Sequence, residues 1–95
     1  MKIQALSSRV KVSSHILFRE MQGEAVLLNF ETGVYFGLDS TGTRIWHLFE
    51  KKNRLEAVLD SLLHEYKVDA KNCREDLLNF TSSLAKNGLI EIHAE

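Results

Sequence analysis

Residues 28–39 read LNFETGVYFGLD. Runs of β-branched, aromatic and other apolar residues lie on either side of a Glu-Thr-Gly turn, over residues 25–30 and 34–38. This pattern predicts two antiparallel strands joined by a tight turn. A three-residue loop that ends in glycine favours a left-handed conformation with a β-bulge, and we assign that conformation to Gly33.

The expected register of this hairpin follows from the loop of three residues. Phe30 then pairs with Val34, and successive side chains alternate between the two faces of the sheet. The face that carries Leu28 and Phe36 is expected to include Val26, Phe30, Val34 and Leu38 as well. The opposite face is expected to carry Leu27, Asn29 and Tyr35.

Helical periodicity replaces strand periodicity after residue 39. Asp39 or Ser40 is expected to cap a first helix, and Asp69 a third. Asn53 is expected to cap the second helix as the first residue of a capping box with Glu56. The apolar sides of the three helices carry, in order, Ile45, Trp46, Leu48 and Phe49; Leu55, Val58, Leu59, Leu62, Leu63 and Tyr66; and Cys73, Leu77, Phe80 and Leu84.

The predicted fold class is α+β and winged helix-turn-helix-like, with a three-stranded antiparallel sheet followed by three helices. Residues 16–19 supply the first strand, and residues 1–95 form a single domain whose first nine residues are expected to be disordered. Asn87-Gly88 is expected to end the third helix with a left-handed residue. The apolar residues that follow then add a short terminal strand or dock on the core.

The small size and near-neutral charge exclude several classes of protein. Ninety-five residues form one small domain, without room for separate catalytic and substrate domains. A formal net charge of −1 argues against nucleic acid or an anionic membrane as partner. The single cysteine excludes a disulfide framework. No signal peptide or membrane-spanning run is visible, so we expect a cytoplasmic protein.

No combination of residues predicts catalysis or cofactor binding. The four histidines lack the spacing that would place two of them on one helix face for a metal ion. Cys73 lies on the apolar side of the third helix, where the nearby Asp69 and Asp76 would raise the pKa of its thiol. We therefore expect no enzymatic activity, no catalytic residues, no metal site and no cofactor.

Two features point to the binding of an extended peptide. Residues 34–38 form an edge strand in the expected strand order, and this strand has no lysine or proline to block it. Beside its core stripe, the third helix has an aliphatic and small-residue side with one long cation: Ala70, Arg74, Leu78, Thr81 and Ala85. A peptide that adds to the edge as a strand would place side chains against that helix.

Two alternatives stay open at this point: a winged-helix DNA-binding regulator, and a dimerisation module that pairs through the third strand. A DNA-reading helix presents a basic face, whereas the cations of the third helix are nearly balanced by Glu75 and Asp76. DNA binding is therefore disfavoured. A homodimer would use the same exposed edge as a peptide.

The sequence around the hairpin resembles the PqqD family. Residues 28–39, followed by Gly42-Thr43-Arg44-Ile45-Trp46-His47-Leu48, match the family pattern L-x-x-x-T-G-x-Y-Y-x-L-N-x-x-G-x-x-I-W-x-L. The resemblance spans residues 10–92 and includes Asn87-Gly88-Leu89 at the end of the last helix. Phe36 stands where the family usually has a second tyrosine, and Asp39 where it usually has asparagine.

This resemblance implies a recognition element for ribosomally synthesised and post-translationally modified peptides, a RiPP recognition element. Domains of this family bind the leader segment of a precursor peptide and present its core to a modifying enzyme. The leader adds as a strand to the third strand and lies against the third helix. Carried over to this chain, the peptide-binding residues are Val34, Tyr35, Phe36 and Gly37 on the strand and Arg74, Leu78, Thr81 and Ala85 on the helix.

The resemblance also assigns more specific roles. Arg74 is placed to meet an acidic leader residue, whereas Gly33, Gly42, Ile45 and Trp46 carry the family signature for structural reasons.

Two branches of the family share the stand-alone length of this chain. One is the chaperone of PQQ biosynthesis, which works with a radical SAM enzyme. The other is the leader-binding protein of lasso-peptide clusters, which works with a leader peptidase, and the N-terminal half of this sequence resembles it more.

Overall fold

The computed structural model describes residues 6–93 of the chain. Five strands and three helices follow one another in this order: β1 (Arg9–Val12), β2 (Ile16–Met21), β3 (Glu24–Asn29), β4 (Val34–Leu38), α1 (Ser40–Lys51), α2 (Leu55–Glu65), α3 (Ala70–Lys86) and β5 (Ile90–His93).

The central sheet has three antiparallel strands in the order β2-β3-β4 and is followed by the three helices. The predicted α+β fold class is therefore confirmed. A second sheet, which the sequence did not predict, pairs β1 with β5 in antiparallel fashion. This pairing also decides between the two expectations for the C-terminal apolar residues, because they form a strand.

The predicted register of the β3–β4 hairpin is wrong by one residue. Asn29 rather than Phe30 pairs with Val34, so the loop has four residues, 30–33. The shift exchanges the two faces of β3, since side chains alternate along a strand. Ala25, Leu27 and Asn29 are buried, while Phe30 is 59% exposed. In β4, Leu38 is buried, whereas Val34 of the same predicted face and Tyr35 of the opposite face are exposed.

The side chain of Asn29 explains the shift. Its Oδ1 accepts hydrogen bonds from the backbone N–H groups of Glu31 (3.0 Å) and Thr32 (3.3 Å), which closes the turn. Its Nδ2 donates to the carbonyl of Gly88 (3.1 Å), beyond the end of α3. A buried amide requires such partners, and they are available only when Asn29 faces inward.

Gly33 has a φ of +77°, as predicted, and a Cβ at this position would meet nothing within 4 Å. Gly33→Val is therefore expected to lower the free energy of unfolding by about 1–2 kcal/mol through backbone strain alone. Urea denaturation measures the change. Gly37→Val is the matched control, because a Cβ there also meets open space and φ is not positive. Equal stability of the two valine variants would contradict the left-handed turn.

The caps predicted for α1 and α3 are confirmed. Asp39 Oδ1 accepts from the N–H of Gly42 (2.7 Å), and Asp69 Oδ2 accepts from the N–H of Asn72 (3.0 Å). Such caps satisfy N–H groups that a helix start leaves without partners.

The capping box predicted for α2 is wrong. The cap residue is Arg54, whose side chain makes no capping hydrogen bond. Instead, the carbonyls of Ser8 and Leu6 accept from the N–H groups of Leu55 (3.1 Å) and Glu56 (2.9 Å). The N-terminal segment thus supplies the cap by its backbone. Of the nine residues predicted to be disordered, 1–5 lie outside the described residues.

The third helix ends as predicted. Gly88 has a φ of +74°, and the N–H of Leu89 donates to the carbonyl of Leu84 (3.0 Å). This arrangement ends a helix and turns the chain back to the core. Leu89 is fully buried there.

The largest fully buried side chains of the core include Trp46, Leu27, Leu48, Leu55, Leu77, Leu84 and Leu89.

Candidate functional site

A cleft of about 770 Å³ lies between β4, the first turn of α1 and the N-terminal half of α3. Its lining residues fall into two apolar groups and a polar rim. The buried group forms the base of the cleft and consists of Leu38, Ile45, Leu62 and Leu77. The half-buried group forms the walls and consists of Phe36, Cys73 and Phe80.

The cleft can accommodate an apolar side chain because the residues that form its base and walls are mostly apolar. The exposed Tyr66 and Val68 lie at its border, just after α2. Burial of a leucine- or phenylalanine-sized side chain in such surroundings stabilises a complex by roughly 1.5–3 kcal/mol before the costs of association. The cleft therefore has the shape and polarity of a binding site for apolar groups.

Gly42 allows the close approach of the elements around the cleft. A Cβ on Gly42 would lie 3.3 Å from Cζ of Phe80 and 3.4 Å from Cδ2 of Leu38. The contact with Phe80 is tighter than usual, so a larger residue would push the Phe80 ring away from α1. Gly42 thus sets the distance between α1 and α3 at this point.

The outer edge of β4 lies beside the cleft. Within residues 6–93, β4 pairs with β3 on one side, and no strand pairs with its other side. Phe36, Gly37 and Leu38 of this strand line the cleft. An unpaired strand edge presents N–H and C=O groups that a further strand can use. A guest strand on β4 would therefore have the apolar cleft next to it.

The polar rim of the cleft is acidic. It contains Asp39, Asp69 and Asp76 together with Thr41 and Asn72. Burial raises the pKa of the Cys73 thiol, and the charge of Asp76 raises it further. A protonated thiol is a poor nucleophile.

A charged pair outside the cleft joins the helices that carry its base. Arg44 of α1 and Glu65 of α2 form a two-pronged contact, Nε to Oε1 at 2.8 Å and a terminal nitrogen to Oε2 at 2.6 Å. The hydrogen bond from Arg44 lowers the pKa of the Glu65 carboxyl, and the same bond raises the pKa of Arg44. Two parallel bonds of this kind fix geometry better than a single ion pair.

Two of the four sequence-predicted residues of the strand line the cleft. Phe36 and Gly37 line it, and Val34 and Tyr35 precede them in β4. Tyr35 is 70% exposed. The strand residues of the predicted site thus lie along one strand, with Phe36 and Gly37 at the cleft.

The sequence-predicted residues of the helix lie elsewhere. Arg74, Leu78, Thr81 and Ala85 are absent from the lining of the cleft. Thr81 has no exposed surface, and its hydroxyl donates to the carbonyl of Leu77 (2.6 Å). Leu78 and Ala85 pack against the core, and Arg74 is exposed.

The side of α3 that borders the cleft carries Asp69, Asn72, Cys73, Asp76 and Phe80. The sequence pattern predicted Asp69 as the cap of this helix and Cys73 and Phe80 as members of its apolar stripe. Their spacing of three and four residues does place them on one side of a helix. That spacing was the available signal, but the orientation of α3 toward β4 depends on tertiary packing.

The residues considered for other activities do not form a site in the described part of the chain. Residues 6–93 hold no group of three His, Cys, Asp or Glu side chains placed for a metal ion. His47 contacts Glu20 (2.8 Å) and Glu50 (3.3 Å) at the surface. None of the helices in this range is long and apolar enough to cross a membrane.

Comparison with protein families and solved structures identifies relatives. Residues 24–90 match the family described as "Coenzyme PQQ synthesis protein D (PqqD)". No curated protein matches the chain.

Two solved structures resemble the chain over most of its length. The first is "TbiB1 in Complex with the TbiA(beta) Leader Peptide". It is 40% identical and has a TM-score of 0.82, and the match covers 90% of this chain and 99% of that one. The second is "Lasso peptide synthetase B1 complexed with the leader peptide". It is 23% identical and has a TM-score of 0.71, and the match covers 87% of this chain and 98% of that one. The second similarity supports the fold.

Proposed function

This chain belongs to the PqqD family, and from that premise we propose that it is a non-enzymatic adaptor for a precursor peptide. It binds the leader segment by strand addition to β4 and presents the peptide to a modifying enzyme. The observation that carries the proposal is the unpaired edge of β4 beside an apolar cleft.

The β4 edge supplies affinity without a fixed peptide sequence. Main-chain hydrogen bonds form along the strand, and every second side chain of the guest points to the same face. One set of guest side chains therefore enters the cleft between β4 and α3. The other set continues the exposed face of the sheet, which carries Leu17, Val26 and Tyr35.

The peptide-binding residues in this proposal are the strand residues Val34, Tyr35, Phe36 and Gly37 and the cleft residues Cys73, Asp76 and Phe80 of α3. The position of the cleft supports this set over the one predicted for α3 from the sequence. Thr81 is buried, and Arg74, Leu78 and Ala85 do not line the cleft.

The partner enzyme is a leader peptidase of the lasso-peptide type in this proposal, rather than a radical SAM enzyme. The resemblance of the N-terminal half of the sequence supports this branch, and the 40% identity to TbiB1, a protein solved in complex with a leader peptide, supports leader binding. The chain would hold the leader, and the peptidase would supply the catalytic groups that residues 6–93 do not assemble.

The strand-addition mode predicts a period of two along the peptide. We expect N-methylation of alternate residues of the TbiA(beta) leader peptide to weaken binding about tenfold at each position, because each removes one inter-strand hydrogen bond. N-methylation of the residues between them is expected to change the affinity less than about twofold, since their N–H groups point away from β4. Fluorescence anisotropy of labelled peptides measures both series.

Uniform sensitivity, or none, would contradict strand addition. Sedimentation with and without the peptide is the accompanying control, because a dimer through β4 would occupy the same edge and dissociate on peptide binding. A DNA-binding regulator would instead bind duplex DNA with an affinity that falls steeply as salt increases.

A further inference from the structure

The charged residues that border the cleft all have the same sign. Asp39, Asp69 and Asp76 are among the described lining residues, and none of those residues is lysine, arginine or histidine. Acidic groups beside an apolar wall attract cations more strongly than the same groups in open solvent. The cleft is therefore electronegative, although the whole chain has a net charge of only −1.

The three carboxylates are not equivalent. Asp39 and Asp69 cap helices α1 and α3, and the partial positive charge of a helix start offsets part of each carboxylate. Asp76 lies in the second turn of α3, away from any helix start. No hydrogen bond or ion pair joins its side chain to another residue within 6–93. Asp76 is thus the member of the rim that neither caps a helix nor forms an ion pair within the described residues.

Asp76 also stands next to the apolar walls. It lies three residues after Cys73 and four before Phe80, which places all three on one side of α3. The effect of Asp76 on the pKa of the Cys73 thiol is consistent with this proximity. Lysine and arginine combine an apolar stem with a charged end, and this shape fits a carboxylate above an apolar wall.

We propose that the cleft selects a leader segment with a lysine or arginine two residues from the apolar side chain that fills the cleft, and that Asp76 is the specificity-determining residue. This inference rests on the proposed function, since it uses the alternation of a guest strand on β4. It reverses the charge expected from the sequence, where Arg74 was to meet an acidic leader residue.

The test uses two sets of TbiA(beta) leader peptides, in which each residue in turn is replaced by lysine or by glutamate. At one position or at two alternate positions, the lysine peptide is expected to bind about tenfold more tightly than the glutamate peptide at low salt. Asp76→Lys is expected to reverse this order at the same positions. Glu75→Lys is the matched control, because it makes the same charge change on the neighbouring residue, which does not line the cleft. In this control variant, the lysine peptide is still expected to bind more tightly than the glutamate peptide.

Each outcome separates the inference from the proposed function. If peptides bind with the period of two but lysine and glutamate variants bind equally, or Asp76→Lys keeps the order, the charge selection is wrong and the adaptor role stands. If Glu75→Lys reverses the order as effectively as Asp76→Lys, the effect is one of overall charge, and Asp76 is not the determinant. If no leader peptide binds to the wild-type chain, both proposals fail.

Discussion

Cys73→Trp is expected to weaken binding of the TbiA(beta) leader peptide by about fiftyfold or more, the largest effect on binding that we predict from a single substitution. Cys73 forms part of the cleft wall on α3, opposite Phe36 of β4. An indole at this position would occupy the space that the guest side chains need. Isothermal titration calorimetry measures the affinity, and circular dichroism verifies that the variant is folded.

Arg74→Trp is the matched control for this prediction. Arg74 is the next residue on α3, is exposed and does not line the cleft, so affinity is expected to stay within about twofold. Asn72→Trp provides a second variant at an exposed lining position in case a tryptophan at 73 disturbs the core. If Arg74→Trp abolished binding while both lining variants bound normally, the peptide would use the side of α3 that the sequence predicted.

Asn29→Ala is expected to give the largest loss of stability, about 2–4 kcal/mol of unfolding free energy. The substitution removes three side-chain hydrogen bonds of a residue that is 3% exposed. It also leaves the carbonyl of Gly88 without its side-chain partner. Urea denaturation at equilibrium gives the value.

Asn79→Ala supplies the comparison for the asparagine substitution. Asn79 is exposed on α3, and alanine favours a helix, so stability is expected to be unchanged or slightly higher. A loss below 1 kcal/mol for Asn29→Ala would mean that the hairpin turn and the end of α3 are not held together by this side chain.

The parts of the fold that depend on neighbours in sequence could be predicted from the sequence. Asp39 and Asp69 cap helices because their partners lie three residues away, and Gly33 and Gly88 adopt left-handed conformations that the local turn requires. The buried side of α1 follows from helical periodicity alone.

The predictions of the fold that were wrong depend on contacts between residues far apart in the sequence. The register of β3 and β4 is set by Asn29, whose acceptor Gly88 lies 59 residues away. The cap of α2 comes from Leu6 and Ser8, which no local pattern connects to Leu55. A four-residue strand such as β1 has too few residues to be distinguished without its partner β5.

The candidate site likewise has one part that could be predicted from the sequence and one part that depends on tertiary packing. The open edge of β4 follows from strand order and composition, so Phe36 and Gly37 could be predicted from the sequence. The side of α3 that faces β4 follows from how the helix packs on the core. The sequence predicted the side with Arg74 and Leu78, whereas the side with Asp76 and Phe80 borders the cleft.

The pairing of β1 with β5 has a practical consequence for how this domain is joined to other molecules. The strands place Arg9 opposite His93, and the segment before β1 contacts the start of α2. The other end of α2, at Leu62 and Tyr66, borders the cleft. An 11-residue helix is roughly 16 Å long, so the two regions are separated by the length of α2. A fluorophore attached at position 9 or at position 93 would therefore report on the β1–β5 sheet, at a distance from the cleft.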